Sequence, residues 1–98
     1  MARPRSSRPP LGQHFLRNQR IVDKILAALP DDGLPILEVG PGDGVLTEPL
    51  AALERPLVAV EYDASLAAVL QYRLREREHV AVIESDILTI AAAEALAC

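Results

Sequence analysis

The chain has 98 residues, half of them apolar and three aromatic, and a formal charge of −4. That length supports one domain or less, burying roughly two-thirds of its unfolded surface around an aliphatic core. No apolar run reaches the ~20 residues of a membrane span, and the opening MARPRSSRPP lacks the apolar stretch of a secretory signal. An organellar presequence stays open on composition. The lone Cys98 excludes an internal disulfide and fits a reducing, cytoplasmic setting. Charge is unevenly spread: residues 1–24 carry six basic side chains against Asp23, while the remaining 74 carry four basic and thirteen acidic. A basic arm on an acidic body suits either a phosphate-contacting tail or a solubilising terminus.

In chain order, residues 1–11, rich in Arg and Pro, are expected to be extended or disordered. Residues 12–98 then form one α/β unit. Gly12 to Leu16 make a short connection. Asn18 is placed to cap a helix that carries Ile21, Val22, Ile25, Leu26 and Leu29 on one face and stops at Pro30. Asp31-Asp32-Gly33 marks a turn. A first strand follows over 36–39, then a loop with Gly40, Gly42 and Gly44, then a helix over 47–53 with Pro49 in its first turn.

A second strand covers 57–61. Asp63 or Ser65 caps the next helix, with Leu66, Val69, Leu70 and Leu74 inward and a charged, solvated face from Arg73 to Glu78. The third strand spans 80–84, before Ser85-Asp86 and a weakly helical tail. Strands alternating with helices predict three parallel strands joined by right-handed crossovers. Gly40, Glu61 and Asp86 then fall together beyond the carboxyl ends of those strands, where ligands of such sheets bind.

A glycine turn after one strand and a carboxylate closing the next form a nucleoside-binding crevice, because the carboxylate accepts hydrogen bonds from the ribose hydroxyls. The glycine spacing selects among nucleosides. A dinucleotide loop reads G-x-G-x-x-G, whereas here the third glycine comes four positions after the first and Val occupies position 45. The acidic-x-G-x-G-x-G run from Glu38 resembles instead the S-adenosylmethionine loop of Rossmann-like, class I methyltransferases. That ligand is cationic, which suits a pocket edged by Glu38, Glu61 and Asp86.

Four segments, LGQHFL (11–16), EVGPGDGVLTEPLA (38–51), VEYD (60–63) and ESDIL (84–88), resemble the ribosomal RNA adenine dimethyltransferases, nearest their bacterial small-subunit branch. The large-subunit branch usually has Asn at the place of His14 and lacks Pro41. The resemblance implies that His14 and Leu16 close over the cofactor and that Gly40, Gly42 and Gly44 pass beneath its methionine part. It further implies that Glu61 holds the ribose hydroxyls, that Asp86 accepts from the adenine amino group and that Ile87 packs on the ring. Asp43 is expected to be an exposed loop residue, and Asp86 has the alternative role of capping the segment after the third strand. Ser85 stands where the family usually has Gly.

The implied cofactor is S-adenosylmethionine and the implied partner is small-subunit ribosomal RNA or a pre-ribosomal particle, with no membrane or metal. The family's chemistry depends on an Asn-apolar-Pro-aromatic tetrad after a fourth strand, and this sequence contains no Asn after Asn18. No catalytic residue is therefore assigned. The chain is expected to be the N-terminal, cofactor-binding half of such an enzyme, truncated before strand four and inactive alone. Its first strand, apolar at Ile36, Leu37 and Val39, would then lie at an aggregation-prone sheet edge. A non-catalytic nucleic-acid-binding relative, a methyltransferase acting on a small molecule or protein, and an NAD-linked dehydrogenase half are the alternatives.

Overall fold

The computed structural model describes residues 18–97, with side chains described through residue 92. The basic arm, His14 and Leu16 lie outside the described residues. The first helix, α1, runs Gln19–Ala28, and Asn18 caps it by accepting the Arg20 N–H through Oδ1 at 2.9 Å. Its last apolar residue, Leu29, has left the helix with φ −69° and ψ 132°, because the ring of Pro30 disfavours helical backbone in the residue before it. Val22 is buried, and Leu26 and Leu29 pack against the core.

Three strands, β1 (Ile36–Val39), β2 (Leu57–Glu61) and β3 (Val80–Glu84), form a parallel sheet in the order β1-β2-β3. Their bounds coincide with the predicted ones, since each is an apolar run closed by a glycine or acidic turn. The register pairs Ile36 with Leu57 and Leu57 with Val80, so residues on one face line up across all three strands. That face, with Ile36 and Leu57, meets Leu50 and Ala51 of α2 (Thr47–Ala51) and Leu70 and Leu74 of α3 (Ala64–Arg73) and its cap. A final helix, α4, spans Ile87–Ala97.

Three expectations need correction. Helix α2 ends at Ala51 rather than 53, because the chain tightens into i→i−3 bonds (Leu53 N–H to Leu50 O, Glu54 N–H to Ala51 O) and Glu54 turns left-handed at φ 59°. On α3 the inward residues are Ala67, Leu70 and Leu74, while Val69 is exposed. Positions 67, 70 and 74 share one helical stripe, and Val69 sits ~100° away from Leu70 around the axis. At β1 the edge is apolar as expected, but Ile36 belongs to the core. Leu37 and Val39, on the opposite face, are 59% and 55% exposed.

At the amino ends of the strands Arg55 ties the turn before β1 to the turn before β2. It donates to the carbonyls of Pro30 and Leu34 and pairs with Asp32 at 2.9 Å. Leu70 is fully buried at the centre of the core, so Leu70→Ala is expected to lower unfolding free energy by about 2–5 kcal/mol. Leu37→Thr on the exposed face is expected to change it by no more than about 0.5 kcal/mol. Urea denaturation of the two variants checks the contrast.

Candidate nucleoside-binding site

The three strand ends extend in step past the sheet. Gly40 N–H continues the ladder to Val60 O at 2.9 Å, and Ser85 N–H continues it to Glu61 O at 2.9 Å. Beyond them opens a cleft of about 330 Å³ lined by Val39, Gly40, Val60, Glu61, Tyr62, Ser85, Asp86 and Ile87. That volume lies at the small end of the ~300–1,000 Å³ range of small-molecule sites. Gly40, Glu61, Asp86 and Ile87, chosen from sequence, are thus brought together on one edge.

Glu61 is the organising group. Its Oε1 accepts the Gly42 N–H at 2.9 Å and its Oε2 accepts the Asp63 N–H at 2.8 Å. The residue is 7% exposed, and the two backbone donors, one from the glycine loop and one from the cap of α3, fix the plane of its carboxylate. An ionised carboxylate offers about four acceptor sites, so each oxygen keeps a lone pair for a further donor.

The glycines serve different ends. Gly40 has φ +69°, and among the described residues no atom beyond its chain neighbours lies within 4 Å of the place its Cβ would take, which leaves bare backbone along the cleft. Gly44, at φ +87°, faces α3, where a Cβ would stand 2.6 Å from Leu70 Cδ2. Asp43 is half-buried rather than exposed, and its Oδ1 accepts the Val45 N–H at 3.4 Å.

Glu38 lies beneath the loop and does not line the cleft. It is buried and accepts a hydrogen bond from Thr47 Oγ1 at 2.6 Å. Burial pushes its carboxyl above the usual range, Thr47 opposes the shift, and the nearby Glu61 charge adds to it. Asp86 Oδ1 accepts the Leu88 N–H at 2.9 Å, so this residue caps the start of α4 while also lining the cleft. Capping, the alternative role considered from sequence, is therefore present at a residue that also lines the cleft.

Two residues escaped the sequence reading. Tyr62, 71% exposed, lines the cleft; its position directly after the strand-closing acid was the available signal. Arg73, assigned to a solvated face, donates from Nη1 to the Asp43 carbonyl at 2.8 Å. Its partner is 30 positions away, and no local pattern announces it. Among the described residues no cluster of His, Cys, Asp and Glu is arranged to hold a metal ion, and no helix is long and apolar enough to cross a membrane.

The chain is similar to known proteins. The family described as "Ribosomal RNA adenine dimethylase" matches residues 5–97. A "Ribosomal RNA small subunit methyltransferase A" of Verminephrobacter eiseniae is 44% identical over 81 residues, which is 82% of this chain and 27% of the relative. Among the first curated relatives the chain spans between 27% and 32% of their length. The crystal structure of the 23S rRNA methyltransferase ErmE superposes with a TM-score of 0.62 at 38% identity, covering 76% of this chain and 31% of that one. The glycopeptide N-methyltransferase MtfA in complex with S-adenosyl-L-methionine superposes with a TM-score of 0.59 at 26% identity, covering 66% and 31%.

A pH dependence follows from Glu38. Its carboxyl has a higher affinity for protons in the folded than in the unfolded chain, so folding is favoured most below the ordinary carboxylate range. This contribution is lost as pH rises through the elevated pKa. Relative to Glu38→Gln, the unmodified chain is expected to lose stability as pH increases from 4.5 and to level off once Glu38 is ionised. Paired urea titrations across that range measure the difference.

Proposed function

The chain belongs to the ribosomal RNA adenine dimethylase family, and from that membership we propose that its cleft binds S-adenosylmethionine for methylation of adenine in small-subunit ribosomal RNA. The observation that carries the proposal is the carboxylate of Glu61 held edge-on at a glycine loop, with Asp86 on the same sheet edge. S-Adenosylmethionine bound to MtfA and the small-subunit names of the curated relatives support it. An enzyme of the relatives' full length is proposed to transfer two methyl groups to the exocyclic nitrogen, acting on RNA or a pre-ribosomal particle in the cytoplasm. ErmE's likeness favours large-subunit RNA as the second substrate to test.

The residues fit the cofactor. The two lone pairs left on Glu61 suit the paired ribose hydroxyls, and Asp86 suits the adenine amino group, with Ile87 and Tyr62 offering apolar surface to the purine. Bare backbone at Gly40 admits the methionine portion, and Gly42, held by Glu61, is proposed to lie beside it. His14 and Leu16 are proposed to cover it from the N-terminal segment. S-Adenosylmethionine supplies an electrophilic methyl group on a positively charged sulfur. The acidic cleft favours that charge at short range, and the preset carboxylate orients the sugar without reorganising. An adenine taken out of the base stack gives such a site access to its amino group.

Calorimetry with S-adenosylhomocysteine and with NAD tests the proposal. Binding of the homocysteine product is expected, with shifts at the Gly40 and Asp86 amides. Glu61→Ala is expected to weaken it by about ten- to a hundredfold, the loss of a hydrogen bond to a charged group. Binding of NAD alone would contradict the proposal. RNA binding that survives Glu61→Ala without any cofactor binding would favour a non-catalytic nucleic-acid-binding role.

A further inference from the structure

The glycine loop changes direction at three left-handed residues, Gly40, Gly42 and Gly44, and such residues resist rearrangement least. Its conformation therefore depends on what grips it from outside. From β2, Glu61 Oε1 takes the Gly42 N–H; from α3, Arg73 Nη1 donates to the carbonyl of the next residue, Asp43, at 2.8 Å. One grip acts on a donor and the other on an acceptor, and they come from different elements.

The two grips close a ring. Glu61 Oε2 holds the Asp63 N–H, Asp63 caps α3, α3 carries Arg73 at its last turn, and Arg73 returns to the loop. Within this ring the backbone at Gly44 lies directly against Leu70 and Arg73, so the loop has little room to drift towards the helix. The other interaction of Arg73, with Glu48 Oε1 at 3.9 Å between half-exposed side chains, is an ion pair of the kind that contributes little to stability. Its charge-assisted bond to a loop carbonyl is the more consequential contact.

We propose that Arg73 is a positioning residue: through the Asp43 carbonyl it holds the glycine loop in the conformation that receives the cofactor. The inference rests on the cleft being the S-adenosylmethionine site, and the test separates the two claims. Hydrogen exchange of the 42–45 amides is measured on the full 98-residue chain without ligand, and S-adenosylhomocysteine affinity is measured by calorimetry, for the unmodified chain, Arg73→Met and Arg73→Lys. Met keeps the aliphatic stem and removes the donor; Lys restores a donor.

The expected result has four parts for Arg73→Met: faster exchange confined to residues 42–45, unchanged exchange in β2 and β3, an unchanged thermal midpoint, and affinity weakened about five- to tenfold. Arg73→Lys is expected to recover most of both losses, which a role in packing alone would not give. Unchanged exchange at 42–45, acceleration spread evenly over the chain, or local acceleration with affinity intact would each overturn the proposal. Should the unmodified chain bind no S-adenosylhomocysteine, the cofactor assignment fails, and with it the positioning role; the exchange data still decide whether Arg73 braces the loop.

Discussion

One buried carboxylate joins the parts of this molecule that border the cleft. Glu61 stands at the last position of the central strand, and its two oxygens take backbone N–H groups from Gly42 and Asp63. A buried carboxylate without partners would be strongly disfavoured; two backbone donors offset that cost and at the same time set the orientation of the side chain. The glycine loop and the start of α3 are consequently positioned relative to each other through one side chain. Acceptor capacity that remains on the same oxygens is what a pair of sugar hydroxyls requires.

The rest of the fold serves that junction. The central strand is buried at four of its five positions, while β1 and β3 flank it in register and deliver Gly40 and Asp86 to the same edge. Beneath the loop, Thr47 and Glu38 form a second polar contact that fastens the first turn of α2 to β1. Among the described residues, β1, β2 and α3 each supply a polar contact around the loop. Three glycines can be tolerated in succession because the conformational freedom they introduce is limited by groups elsewhere in the chain.

Much of this was legible in the sequence, for physical reasons that differ by element. The three strands are short apolar runs bounded by turn residues, and all of their limits were predicted. Asn18 and Asp63 were readable as caps because their side chains bond to backbone only two or three residues away. Glu61 and Asp86 could be paired because parallel topology places consecutive strand ends side by side. The sequence was less informative where distant contacts decide the outcome. Ala67 is buried where Val69 was expected because the stripe of 67, 70 and 74, rather than the most hydropathic residues, is the one covered. Glu38 looked like a pocket residue from its spacing, but alternation along β1 turns it to the same face as Ile36. Arg73 looked like a surface charge because its acceptor is a backbone carbonyl in another element.

The most direct measurement is a crystal structure of the chain soaked with S-adenosylhomocysteine. Density is expected along the edge formed by residues 40, 61 and 86, with both ribose hydroxyls within hydrogen-bond distance of Glu61 and the Gly42 and Asp63 N–H contacts retained. Density seated elsewhere, or a Glu61 side chain turned away from the sugar, would contradict the account.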